Sequence, residues 1–230
     1  MSDRIDLDVF RGLGPGATHR DIKEAVLAAG WTWCGDGDWA SAFAAPGGAV
    51  VARISPFDPV GPYTARLYTE AAGTGLVPRL YAHRSLSGGG DLQVMERLRP
   101  VPVSEAAAFL DRLALPEPDL APLAATVARI HADACRELPW CGPLDDNPSN
   151  VMRTAGGTLV LTDPYYADGP NLYAAAEHDP ERLVAAIPER HRRFMTEIPL
   201  AGSGPWDSAA REAVREGLRL ADERAARERS

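Results

Sequence analysis

The feature that most constrains this chain is a change of hydrophobic period at residues 99–102. Before it, apolar residues come in short segments punctuated by glycine and proline; after it they recur mostly at helical spacing. One helix precedes the short segments. Thr18 with Asp21 three residues later makes a variant capping box, Ile22, Ala25, Val26 and Ala29 follow at helical spacing, and Gly30 ends the run. Residues 31–54 hold two or three apolar segments broken by Gly35-Asp36-Gly37-Asp38 and by Pro46-Gly47-Gly48, the pattern of antiparallel strands joined by tight turns. The pattern then predicts a helix over 64–73 and strands over 77–82 and 92–98. Beyond the switch it predicts helices over 104–113 and 120–134, a short strand pair around Ala155-Gly156-Gly157, and helices over 180–197 and 206–229.

A chain of 230 residues fits one large domain or two small lobes, and 45% apolar residues suffice for a core. The formal charge of −8 argues against a nucleic-acid partner, which needs a basic surface to displace counterions from phosphate. No apolar run reaches membrane-spanning length and residues 1–10 alternate charge rather than forming a signal peptide, so a cytoplasmic protein without a membrane partner is expected. The three cysteines, Cys34, Cys135 and Cys141, have no metal-ligand spacing and are expected to be reduced thiols. Lys23 is the only lysine, so nearly every cation is an arginine.

The segment richest in chemistry is 144–163, LDDNPSNVMRTAGGTLVLTD. Asp145 and Asn150 stand five apart and Asp163 follows thirteen later, with a Gly-Gly turn and an apolar strand between. A hairpin of that length brings Asp145, Asn150 and Asp163 to one edge. Oxygen ligands such as Asn and Asp suit Mg²⁺, and a further carboxylate can orient a hydroxyl and accept its proton. The alternative is an Asp/Asn-rich turn whose side chains merely cap the backbone, and the triplet alone leaves both open.

With these residues in view, the chain resembles the protein-kinase-like superfamily, especially its aminoglycoside-phosphotransferase and small bacterial or phage kinase-like branches. Asp145-Asp146-Asn147-Pro148-Ser149-Asn150 resembles the D-L-x-P-x-N catalytic loop, and Thr162-Asp163-Pro164 resembles the strand-end metal-binding Asp. LAATVARIHA at 123–132 is similar to the LAxLHA helix of the phosphotransferases. Three departures stand out. Pro143 replaces the histidine two before the catalytic Asp, Asp146 replaces the following leucine and leaves the loop assignable one residue later, and Pro164-Tyr165 replaces Phe-Gly.

The first half extends the resemblance over roughly 31–166. Gly35-Asp36-Gly37-Asp38-Trp39-Ala40 resembles a glycine-rich phosphate loop with alanine for the third glycine, and is equally a good hairpin turn. Arg53 in Val51-Ala52-Arg53-Ile54 stands where the family has its phosphate-gripping lysine, and Glu70 on the following helix is its expected ion-pair partner. Val94-Met95-Glu96-Arg97-Leu98 looks like the hinge, where backbone groups of Glu96 and Leu98 would meet an adenine edge.

The remaining candidates have plainer readings. His131 is expected to be a hydrogen-bonded packing residue, His178 and His191 surface residues, and Ser41 and Ser149 have no recognisable base. Asp168, Glu177 and Asp179 could line an acceptor site, although acids near a helix N-terminus are ordinary.

The expected fold is a two-lobed α+β protein-kinase-like structure, with an antiparallel β-sheet N-lobe over 1–98 and a helical C-lobe over 99–230. The expected function is ATP-dependent, Mg²⁺-assisted phosphorylation of a hydroxyl on a small molecule or peptide. Asp145 would orient the hydroxyl, Asn150 and Asp163 would hold the metal, and Gly35, Gly37, Arg53, Glu70, Glu96 and Leu98 would bind nucleotide. The rivals are a pseudokinase-like scaffold that binds nucleotide or a partner, favoured by the missing lysine, and a kinase acting on a precursor peptide or protein.

Overall fold

The computed structural model describes residues 7–115, 117–199 and 207–228. A short helix, α1 (Asp8–Arg11), precedes α2 (His19–Ala28), which starts at the expected capping box: the Thr18 side chain accepts from the Asp21 N–H, and the Asp21 carboxylate accepts from the Thr18 N–H at 2.8 Å. A cap of this kind stabilises a helix by about 1 kcal/mol. α2 turns Ile22 and Val26 fully into the core, and burying each stabilises by about 1.5–3 kcal/mol.

Five strands, β1 (Thr32–Asp36), β2 (Ser41–Ala44), β3 (Val50–Ser55), β4 (Leu80–Ser85) and β5 (Asp91–Glu96), form one antiparallel sheet in the order β1-β2-β3-β5-β4. Between β3 and β4 lie α3 (Gly61–Glu70) and a 3₁₀ turn, Ala72–Thr74. α3 begins earlier than its periodicity predicts because Asp58 accepts from the Val60 and Gly61 N–H groups, capping a turn that the apolar pattern does not mark. The strand expected over 77–82 starts at Leu80, since Pro78 has no N–H to give a sheet. The next one ends at Glu96, where the Arg97 N–H turns back to the Ala49 carbonyl.

The second half contains β6 (Arg99–Pro100), α4 (Val103–Ala114), α5 (Ala121–Glu137), β7 (Cys141–Leu144), a 3₁₀ turn at Pro148–Asn150, β8 (Val151–Arg153), β9 (Leu159–Leu161) and β10 (Tyr165–Ala167). Then come α6 (Gly169–His178), α7 (Pro180–Ala186), 3₁₀ turns at Glu189–His191 and Met195–Glu197, and α8 (Ser208–Glu228). β6, β8 and β9 form a three-stranded sheet and β7 pairs with β10. The architecture is α+β, as the change of period implies. The single helix expected over 180–197 stops at Ala186, because Pro188 forces Ile187 into an extended conformation. Helix α6 was not expected. Its start is set by Asp168, which accepts from the Asn171 N–H, with a proline in the first turn. Trp206 and Arg229, within the span expected for the last helix, and residues 1–6 lie outside the described residues.

Three apolar cores hold these elements. α2 packs on the sheet through Ile22, Val26, Phe43, Ala52 and Val94. A central core joins Leu67 and Tyr68 of α3 to Phe109, Leu123, Val127, Ile130 and Leu161. A third joins Leu172, Leu183 and Leu218 with Phe57 and Trp140. Behind the sheet, Arg20 of α2 donates twice to Glu197, at 3.2 and 2.7 Å, and His19 lies 3.2 Å from the same carboxylate. Among the described residues no helix is long and apolar enough to cross a membrane.

Candidate active site

β3 aims Arg53 inward between the sheet and the second half of the chain. Its Nη1 donates to Asp58 Oδ2 at 2.6 Å and its Nη2 to Asp163 Oδ2 at 2.9 Å. The Thr64 hydroxyl, from α3, donates to the other Asp163 oxygen at 3.0 Å. The expected Arg53–Glu70 pair does not form. Glu70 accepts from Arg66 at 2.6 Å and from Arg129, on a face shared with α5. Helix geometry explains the difference. Glu70 is six residues beyond Thr64, hence about 120° around α3, and only one of the two can face Arg53. Asp58 supplies the carboxylate instead, from the turn before the helix.

The N-terminus of α3 is seated tightly here. A side chain at Gly61 would meet the Asp91 carboxylate at 2.7 Å, and Gln93 donates to the Gly61 carbonyl at 3.1 Å and to Asp91 at 2.9 Å. Asp91 is fully buried with His83 at 2.7 Å. Burial, partly offset by Arg53 and reinforced by Asp163 and Asp91, pushes the Asp58 carboxyl up to about 6. Burial alone would lower the Arg53 guanidinium, but Asp163 and Asp58 override it and hold the cation firmly.

The loop 145–150 sits at the end of β7, and backbone bonds join it to residues 162–164. The Asp145 N–H donates to the Pro164 carbonyl at 2.8 Å, and the Asn150 carbonyl accepts from the Thr162 N–H at 2.7 Å and hydroxyl at 2.9 Å. The hairpin of β8 and β9, in register Val151 with Leu161, carries Asn150 and Asp163 to its open end, as the spacing requires. Two Asx turns shape the loop: Asp145 Oδ1 accepts from the Asn147 N–H at 2.9 Å and Asn147 Oδ1 from the Ser149 N–H at 3.0 Å. Asp145 lines the cleft, whereas Asp146 is exposed and is not among the residues that line it. His131 is the packing residue it was expected to be, with Nε2 2.9 Å from the Gly142 carbonyl.

These groups surround one cleft of about 660 Å³. Gly37, Asp38, Trp39, Ala42, Val51, Arg53, Met95, Glu96, Leu98, Asp145, Asn150, Met152 and Asp163 all line it; Gly35 and Glu70 do not. The glycine-rich turn closes through the Gly37 N–H, which donates to the Ala40 carbonyl at 2.8 Å. Of its two acids, Asp36 accepts from the Trp33 indole at 3.2 Å and only Asp38 faces the cleft. Glu96 has its N–H on the Arg79 carbonyl at 3.0 Å, and its carboxylate accepts from the Arg79 N–H at 2.8 Å, which fixes the end of β5 at the cleft.

Two participants escape a sequence reading. Thr64 looks like any helical threonine, because what it bonds lies 99 residues away. Trp39 lines the cleft beside Asp38. Its ring is 6.0 Å from both Phe57 and Tyr173, it covers Gly169, and its carbonyl accepts from Ser55 at 2.5 Å.

The donor set suits a divalent cation of the Mg²⁺ type. Asn150 and Asp163 offer hard oxygens, and the single guanidinium of Arg53 is shared between two carboxylates, Asp58 and Asp163. Asn150 also has a buried Nδ2 without a partner, a polar group that a ligand in the cleft would satisfy.

No protein-family model matches this chain, and no curated protein matches it. Among solved structures it is similar to WbdD, crystallised with the kinase inhibitor LY294002, at 14% identity over 83% of this chain and 45% of that one, TM-score 0.31. It is also similar to the PknI kinase domain of Mycobacterium tuberculosis, at 16% identity over 92% of this chain and 99% of that one, TM-score 0.29. A third is the apo GRMZM2G135359 pseudokinase, at 12% identity over 81% of this chain and 82% of that one, TM-score 0.28. The chain spans less than half the length of WbdD. Likeness at this level is loose, and the residues above define the site.

Proposed function

We propose that this protein is an ATP-dependent phosphotransferase acting on a hydroxyl of a small molecule or peptide. The observation that carries this reading is the convergence of Asp145, Asn150, Asp163 and Arg53 on one cleft whose other end has apolar walls. An adenine would lie between Val51 and Ala42 above and Met152 below, with the Glu96 carbonyl and Leu98 backbone at its edge. Arg53 and the Gly37 amide would hold phosphate oxygens. Asn150 and Asp163 would hold Mg²⁺, which supplies charge neutralisation for the phosphates. Asp145, partly exposed and held by its loop, would orient the acceptor hydroxyl and take its proton as that oxygen bonds to the γ-phosphorus and the bond to the β-phosphate oxygen breaks.

A second reading, a scaffold that binds nucleotide without turnover, is favoured by one observation. Both Asp163 oxygens already accept hydrogen bonds, from Arg53 and Thr64. Calorimetry with ATP, with and without Mg²⁺, on the wild type and on Asp163→Ala separates the possibilities. Mg²⁺-dependent binding lost in Asp163→Ala, with turnover abolished by Asp145→Ala and retained by Asp146→Ala, supports the enzyme. Binding that is indifferent to Mg²⁺ supports the scaffold, and no nucleotide binding under any condition removes both.

A further inference from the structure

Outside the cleft, His131 and Cys135 of α5 and Cys141 of β7 meet at one point. One imidazole nitrogen and two Sγ atoms all lie within 4.8 Å of one another. His131 and Cys135 are four residues apart and so share one helix face. The short turn 138–140 brings Cys141 back onto that face, so that Cys135 Sγ is 3.4 Å from His131 Nε2 and 3.1 Å from Cys141 Sγ. The spacing of the cysteines in the sequence does not mark this cluster, because its third member comes from a neighbouring strand and not from a linear motif.

We propose that His131, Cys135 and Cys141 form a binding site for a thiophilic divalent cation of the Zn²⁺ class. Two thiolates and an imidazole are the ligand set of a three-residue zinc site with one open position. Zinc–sulfur and zinc–nitrogen bonds of about 2.3 and 2.0 Å place tetrahedral ligand atoms about 3.5–3.8 Å apart, so the two sulfurs must open by about 0.6 Å and the three ligand atoms, already within 4.8 Å of one another, must settle to that spacing by side-chain rotation. Cys135 is exposed and gives the cation a route in. Coordination releases both thiol protons, balancing the charge of the cation. It also takes His131 Nε2 from the Gly142 carbonyl, which it now faces at 2.9 Å. That carbonyl belongs to β7, three residues before Asp145, so cation binding changes the side-chain bond that joins α5 to the strand leading into the cleft.

This site is independent of the proposed phosphotransfer, and its test needs no activity. Reduced protein is titrated with Co²⁺ and followed by absorbance, then with Zn²⁺ in competition. One equivalent is expected to bind, with a sulfur-to-cobalt charge-transfer band in the near ultraviolet and visible bands of tetrahedral intensity, both bleached by Zn²⁺. Cys135→Ser, Cys141→Ser and His131→Gln should each weaken binding at least tenfold, and Cys34→Ser should not. If a variant fails to fold by circular dichroism, the wild-type spectrum decides alone. Absence of a stoichiometric charge-transfer band overturns the proposal. So does affinity unchanged in the two cysteine variants, or a Cys135–Cys141 disulfide that persists under reductant and leaves no thiolates to bind.

Discussion

Arg53 Nη2 donates to Asp163 Oδ2 at 2.9 Å while its Nη1 holds Asp58, so one partly buried cation joins β3, the turn before α3 and the end of the β8–β9 hairpin. Asp58 is essentially inaccessible, with a side-chain exposure of 1%. Arg53→Met therefore strands a buried carboxylate and should cost about 3–5 kcal/mol. Arg53→Lys keeps the charge but cannot fork to both carboxylates, and should cost less than half as much. Urea denaturation midpoints check this. A loss below about 1 kcal/mol in Arg53→Met would mean that the cluster does not hold these elements together.

Thr64 and Glu70 sit on one helix and should behave oppositely. Thr64→Val removes the donor to Asp163 from a buried position and should cost about 1–2 kcal/mol, and Mg²⁺–nucleotide affinity should change with it. Glu70→Gln breaks only half-exposed pairs with Arg66 and Arg129 and should cost under about 1 kcal/mol, with affinity unchanged. Parallel melts and nucleotide titrations of the two variants decide it.

The turn between β4 and β5 packs directly on the backbone of His191. Gly89 has φ +92° and lies against the His191 carbonyl, where a Cβ has no room. Gly89→Ala combines backbone strain with a collision against main chain and should lower stability by more than about 3 kcal/mol. Gly73→Ala, with nothing near its Cβ, serves as the control and should lie within about 0.5 kcal/mol of wild type.

His19 predicts a pH dependence. Burial holds its imidazole below the ordinary value of 6.5, outweighing the attraction of Glu197 and reinforced by Arg20 and Lys23. A histidine with a depressed folded pKa takes up its proton more readily when unfolded. The unfolded state is therefore favoured as pH falls below 6.5, and the loss levels off once pH passes below the folded value. The melting temperature should fall over that range, and His19→Gln should flatten the fall. An identical slope in the variant would assign the effect to other groups.

What could be read from the sequence was local or carried by spacing. The capping box at Thr18 and Asp21, the five short strands, and the hairpin that returns Asp163 to Asn150 depend on residues near each other in the chain, and all are present. The failures share the opposite character. The partner of Arg53 depends on which face of α3 turns inward, which its amphipathic pattern leaves undetermined between Thr64 and Glu70. The meeting of Cys141 with His131 and Cys135 depends on how β7 leaves α5. Helix α6 was missed because Ala174-Ala175-Ala176 and its neighbours give little contrast between faces, although Asp168 and Pro170 mark its start.

The packing of α3 also bears on how the chain comes to be made. Leu67 and Tyr68 of this helix are covered by Leu123, Val127, Ile130, Leu161 and Tyr165, all at least fifty residues downstream. During synthesis from the N-terminus, α3 can meet β4 and β5 early, but the part of its core supplied by these residues is not complete until residue 165 has left the ribosome. At about 5–20 residues per second, that is an interval of roughly 5–20 s. The sheet strands, α2 and the sheet-facing side of α3 can assemble early, but the Asp163 that Thr64 bonds arrives only with this later segment. The site is thus completed late in translation, by the same segment that brings Asp145 and Asp163.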